Sequence, residues 1–433
     1  MKQPVGADPP VPEESSMTQP SMPVLESVTR PWPDLEAAHE RATGAAAALL
    51  DGRAELLAAL TRLATCASAR DELLRSLRAV AGAPWELART GVPQLARISV
   101  VLPQDTALYS YVRHCLVPAL YCDEVVVRPT PRIRETALEV HRTVSRGLDP
   151  ALAARIRFTD AAQHDFTPVC AESDAVVFTG SATAAGKLMT EIGDGPLFLL
   201  SGPAPNPLVV GPRAEPDAAC RAVLRARLYN SGQHRLCPDV LFVHRLRLDA
   251  LVERLRAELS VLTVGARSWP DAVLTALTYG EAVEGAARFL TEHADRVVAG
   301  GGADPERMQV EPSLLVFDED PGFHPPALSG PLFCVVPYED PEMLRCWARH
   351  PLELERGMYA AVLGEPRLTG RTLGTAVVLR DATPFDTEDG NLPCGGYGAH
   401  ASGVRRAGRM VGRPLLLSQE AALRNTVATG PLR

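Results

Sequence analysis

Residues 97–129 read RISVVLPQDTALYSYVRHCLVPALYCDEVVVRP. An apolar run at 98–102 gives way to a stretch with helical spacing through His114 to about Leu120. A second run, Val125–Val127, follows. Short runs rich in Val and Ile predict strands buried on both faces. A helix joining two such strands makes a βαβ unit, in which the strands lie parallel.

The alternation continues on both sides of this stretch. A helix is predicted over Ile133–Arg146, a strand in ARIRFTD (154–160), and another in DAVVFTG (174–180), which opens into the helical ATAAGKLMTEI (182–192). PLFLLSG (196–202), NPLVVGP (206–212) and VLFVH (240–244) read as further strands. Helices are predicted over Glu215–Tyr229 and in LDALVERLRAEL (248–259) and EGAARFLTEH (284–293). A strand in VEPSLLVFD (310–318) and apolar runs in PLFCVVPYED (331–340), GMYAAVLG (357–364) and TAVVLRD (375–381) complete the pattern. Upstream, ELLAALTRLATCASARDELLRSLRAV (55–80) belongs to two or three amphipathic helices, punctuated at Gly52 and at Gly82–Pro84. Residues 1–33 are Pro-, Ser- and Glu-rich without periodicity and are expected to be a disordered tail.

Composition narrows the function. The 433-residue chain is 46% hydrophobic and carries a net charge of −8, from 44 basic and 52 acidic residues. That sign opposes a role in neutralising nucleic-acid phosphates. No apolar run approaches the ~18 residues that a membrane helix needs. Lys2 and Lys187 are the only lysines, so 44 − 2 = 42 basic residues are Arg. The nine cysteines form no C-x-x-C pair, which leaves a zinc or thioredoxin-like centre, or any metal site, without support. Free thiols and no export-signal pattern predict a cytoplasmic protein.

From about Pro84 to the end the chain resembles the aldehyde dehydrogenase superfamily. Six landmarks run in order: residues 97–129, VVFTGSATAAGKLM (176–189), LLSGPAPNPLVV (199–210), RLYNSGQHRLCPDVLFVH (227–244), LSGPLFCVVPYED (328–340) and NLPCGGYGAHASG (391–403). The resemblance implies an α/β fold: a Rossmann-like parallel-sheet cofactor domain with N-terminal helices (34–200) plus an α/β catalytic domain (201–391). It also implies a C-terminal segment (392–433) that returns to the first domain and helps build a homodimer. The implied cofactor is NAD or NADP, and the implied substrate is a small-molecule aldehyde or acyl compound. No nucleic-acid or membrane partner is expected.

The family's chemistry needs a thiolate to attack the aldehyde, an amide to hold the oxyanion, and a glutamate to activate water. By this resemblance the nucleophile position holds Arg235, the general-base position Ser201 and the oxyanion asparagine position Asp105. The glutamate that anchors the nicotinamide ribose falls near Ala327, and Pro131 stands in the place of a ribose-binding carboxylate. Gly180 and Ser181 persist at the phosphate-side turn, and Arg128 replaces a ribose-contacting lysine. Cys237, two residues beyond Arg235, is either an alternative nucleophile or a small buried residue. Arg235 either pairs with Asp105 or Asp239, or joins His234 as an anion-binding pair. Cys394 replaces the aromatic residue of the family's P-F-G-G element. Two functions follow: an NAD(P)-linked oxidoreductase with a rebuilt site, or a non-catalytic pseudoenzyme that binds a metabolite, nucleotide or protein in the old cleft.

Overall fold

The computed structural model describes residues 33–428, so the predicted tail, except for Pro33, lies outside the described residues. Its first sheet grows from the stretch that opens with Arg97. Strands β1 (Leu95–Leu102), β2 (Cys122–Pro129), β3 (Ile156–Phe158), β4 (Ala175–Thr179) and β5 (Leu197–Ser201) run parallel in the order β3-β2-β1-β4-β5. Both faces are covered over β4, β5 and the centres of β1 and β2, which is why these read as apolar runs, while β3 at the edge carries an exposed Arg157. Ile98, Val100, Val125 and Val177 face the N-terminal helices and the helix Arg134–Ser145. Val101, Val126, Val176 and Phe198 face the helices Gln163–Ala171 and Ala182–Ile192.

A second sheet follows. Its strands are β6 (Leu208–Val210), β7 (Leu241–His244), β8 (Val297–Ala299), β11 (Ser313–Val316), β12 (Leu332–Tyr338), β13 (Tyr359–Leu363), β14 (Thr372–Leu373) and β15 (Ala376–Arg380). A small separate hairpin is made by β9 (Ala303–Asp304) and β10 (Gln309–Val310). The sheet order is β14-β15-β13-β6-β7-β12-β11-β8, parallel except for the two antiparallel edges. The chain ends by returning to the first sheet. Strand β16 (Ser402–Arg406) pairs antiparallel with β5, and β17 (Arg409–Gly412) closes the edge.

Two sequence expectations need correction. The helix Cys66–Thr90 runs through Gly82 and Pro84 instead of stopping there. Asn391, more than 300 residues downstream, donates to the Ala79 carbonyl at 2.9 Å and to Glu86. Pro84 removes the helical donor of the Val80 carbonyl, and Asn391 braces the neighbouring Ala79 carbonyl from outside the helix. The stretch through His114 is a short α-turn (Leu108–Tyr111), a π-turn (Val112–Leu116) and a 3₁₀ turn (Pro118–Leu120), not one regular helix. Among the described residues, no helix is long and apolar enough to cross a membrane.

Candidate functional site

In the first sheet, the connections from β1 and β4 leave in opposite directions, which opens a crevice beyond their carboxyl ends. A cavity of about 270 Å³ lies there. Asp105 enters it after β1, Thr130 after β2, Gly180 after β4 and Ser201 at the end of β5. The second sheet supplies Gln233–Arg235, Cys237 and Leu328. Sequence-distant candidates thus meet because parallel strands present their carboxyl ends to one side.

The loop 229–239 is held from several directions. Asn230, Ser231 and Gly232 all have positive φ (49°, 56° and 77°). At Gly232 an added Cβ would lie 2.1 Å from the Gly330 carbonyl oxygen, so only glycine fits. The Asn230 side chain accepts from Thr65 N–H at 3.1 Å, and Gln233 Oε1 accepts from Thr278 N–H at 2.6 Å. Tyr229 stacks on Phe385 with centroids 4.4 Å apart and donates to Asp71 at 2.8 Å. The buried Asn206, reached at φ 42°, donates to the Arg235 carbonyl at 2.8 Å and accepts from Tyr359 N–H at 3.3 Å. This hold on the loop is hidden in the sequence, because the partner is 29 positions away.

The expected ion pairs of Arg235 do not form. Asp105 accepts the main-chain N–H of Arg235 at 3.4 Å, not its guanidinium. Asp239 is taken by Arg227, at 3.0 Å, and by Leu328 N–H at 3.2 Å. Arg227 is fully buried and also donates to the carbonyls of Pro238, Leu328 and Gly330. The fixed carbonyls around Arg227 explain why Asp239 turns that way. Arg235 Nη1 is shielded from solvent without a hydrogen-bond partner. His234 packs its ring on Tyr229 and Phe385, and burial lowers its pKa, so it adds no positive charge at neutral pH. This argues against a paired His234–Arg235 anion site.

Cys237 lines the cavity yet is only 2% exposed, and its sulfur lies 3.7 Å from the Tyr229 carbonyl. Burial pushes the thiol up to about 12, which keeps it protonated at neutral pH. Ser201 pairs with Thr179 across the sheet, and its carbonyl accepts from Gly180 N–H at 3.0 Å. Cys394 sits outside the main cavity, where Arg113 Nη2 approaches its sulfur at 3.2 Å.

On the phosphate side, Ser181 caps the helix Ala182–Ile192 by accepting from Ala184 N–H at 3.2 Å. A Cβ at Gly180 would lie 2.9 Å from the Phe178 ring. A helix N-terminus reached through a glycine turn favours an anion. Arg128 spends its Nε on the Ala161 carbonyl, at 3.0 Å, which leaves its terminal nitrogens to offer. These residues fit the phosphate side of a dinucleotide. Among the described residues, no three metal-ligating side chains converge.

A model of the "Aldehyde dehydrogenase family" matches residues 95–411, which include both sheets and the 229–239 loop. The chain belongs to the aldehyde dehydrogenase family. A similar relative is the aspartate-semialdehyde dehydrogenase (non-phosphorylating) of Halomonas elongata, 30% identical over 41% of this chain and 37% of that protein. The aminoacetaldehyde dehydrogenase of Pseudomonas aeruginosa is 26% identical over 65% of this chain and 58% of its own length. The matches thus span well under two thirds of these relatives. Among solved structures, succinic semialdehyde dehydrogenase from Streptococcus pyogenes, in complex with NADP+, superposes with a TM-score of 0.76. The identity is 16%, over 90% of this chain and 88% of that one. Glyceraldehyde-3-phosphate dehydrogenase GapN from Methanocaldococcus jannaschii gives 0.74 at 15% identity, over 90% and 87%. At these identities the likeness carries the aldehyde dehydrogenase fold, with its Rossmann-like sheet and α/β partner.

Proposed function

We propose that this member of the aldehyde dehydrogenase family binds NAD(P) in the crevice of its first sheet and does not oxidise aldehydes through a cysteine thioester. The observation that carries this reading is that Arg235, which by resemblance stands at the family's nucleophile position, lines the cavity. A guanidinium stays protonated and cannot attack a carbonyl carbon. Ser201 has no carboxylate with which to activate water, and a charged Asp105 repels a developing oxyanion. When bound, NAD(P) supplies a hydride acceptor. Gly180, Ser181 and Arg128 would hold its phosphate and ribose side. The Streptococcus pyogenes relative solved with NADP+ supports this cofactor class.

A second reading is an oxidoreductase rebuilt around Cys237, and one observation favours it: that thiol lines the same cavity. Its burial and its high thiol pKa argue against it. The test follows NAD(P)H absorbance with a panel of aldehydes, and the melting temperature with each dinucleotide, for the unmodified chain and Cys237→Ser. We expect a dinucleotide-induced rise in melting temperature and no turnover. Turnover that Cys237→Ser abolishes would establish the second reading. No response to either dinucleotide would end the cofactor assignment.

A further inference from the structure

Two opposite charges face one cavity without meeting. Arg235 and Asp105 both line it, yet they are joined only through the Arg235 main-chain N–H. The guanidinium forms no ion pair among the described residues, and its Nη1 has no hydrogen-bond partner although it is closed off from solvent. Neighbouring groups do not answer it. Asp239 is bound to Arg227, and His234 is held neutral by burial. Gln233 already donates to the Asn230 carbonyl and accepts from Thr278. Buried donors of this kind are normally satisfied in the working state of a protein. A water molecule can answer one N–H group but balances neither charge. The cavity, at about 270 Å³, has room for a small organic molecule.

We propose that this cavity binds a small zwitterion of the amino-acid class, with its carboxylate on Arg235 and its ammonium on Asp105. The inference rests on the reading of Arg235 as a binding group in the place of a nucleophile. A planar guanidinium matches a carboxylate with two parallel hydrogen bonds, and Asp105 offers only acceptors, which suit an ammonium. A simple carboxylate entering here meets the repulsion of Asp105, and a simple amine meets that of Arg235. A ligand that carries both groups is selected against its halves.

The test is calorimetric titration of the full chain with glycine, β-alanine and 4-aminobutyrate, which space the two charges differently. Acetate, propionate, butyrate and the matching alkylamines serve as controls. At least one zwitterion is expected to bind about tenfold or more tightly than its matched carboxylate and amine. Arg235→Gln and Asp105→Asn should each weaken that zwitterion by about tenfold or more. The proposal is overturned if no zwitterion binds up to about 10 mM, if carboxylate controls bind equally well, or if folded Arg235→Gln and Asp105→Asn bind as the unmodified chain does. Should a variant fail to fold, the ligand series on the unmodified chain decides. Dinucleotide binding is measured on the same sample. Zwitterion failure with dinucleotide binding intact removes this inference alone, while the reverse removes the cofactor reading alone.

Discussion

Glu72 shows how burial, with a smaller push from Asp105 and Asp71, can tune a single side chain. It is 4% exposed, and its Oε1 accepts from the N–H groups of Leu108 (2.7 Å) and Tyr109 (2.9 Å). Desolvation raises its pKa from 4.5 to about 7, although both hydrogen bonds favour the charged form. The folded chain therefore keeps this proton at pH values where the unfolded chain has released it. Its contribution to stability is full below about 4.5 and is lost as the pH rises toward 7, by roughly 3 kcal/mol across the window. Glu72→Gln preserves an acceptor for both amides but cannot ionise. Urea unfolding at pH 5 and pH 7.5 should show a smaller loss of stability on raising the pH in Glu72→Gln than in the unmodified chain. Identical pH dependence in the two proteins would refute this account. At the same scale, Arg227 and Asp239 show what sequence hides. Both charges are visible in the sequence, where Asp239 is one of two acids offered as a partner for Arg235. The choice was made by three carbonyls, those of Pro238, Leu328 and Gly330, which fix the Arg227 guanidinium in place.

At the scale of elements, the loop 229–239 depends on anchors outside itself. Asn206→Ala removes the donor to the Arg235 carbonyl and the acceptor for Tyr359 N–H, and leaves alanine at φ 42°. With the further bond to the Ala204 carbonyl, three lost hydrogen bonds and a strained backbone should cost about 2–4 kcal/mol. The loss should appear in urea unfolding as a lower midpoint with an unchanged slope. A midpoint within error of the unmodified chain would show that the loop holds itself. Most strands were legible because each is an apolar run buried on both faces; the edge strand Ile156–Phe158 carries an exposed Arg157. ARIRFTD contains Ile156–Phe158, and VLFVH contains Leu241–His244. The helix through Gly82 and Pro84 was not, because the residue that supports it, Asn391, lies far along the chain. The hairpin Ser402–Gly412 was also missed. Its strands are short and partly exposed, and Gly403, Gly408 and Gly412 interrupt any apolar alternation. The candidate site divides in the same way. Its residue types could be read in order along the sequence. Whether Arg235 turned to an acid or to open space depended on where strand ends from both sheets met.

At the scale of the whole molecule, the cavity exists only because the two sheets face each other there. The first sheet contributes the turns after β1, β2, β4 and β5, and the second contributes 233–237 and 327–329. A ligand confined to the first sheet would leave the second unaffected. A dinucleotide that reaches from the Ser181 helix cap into the cavity must touch both. Hydrogen exchange can separate these cases, because binding protects amides at the sites it touches. With NAD+ or NADP+ at about 100 times its dissociation constant, stabilisation of about 2.7 kcal/mol is available. Slower exchange is expected around Gly180–Ala184 and, in the same experiment, around Gln233–Cys237. Protection restricted to 180–184 would mean that the dinucleotide stops short of Arg235, and the cavity would then be free for a second ligand at the same time. Protection of both segments would make the two ligands competitors for one space, so adding the dinucleotide should raise the apparent dissociation constant of the zwitterion by a factor of one plus the ratio of free dinucleotide to its own dissociation constant, about a hundredfold at that concentration.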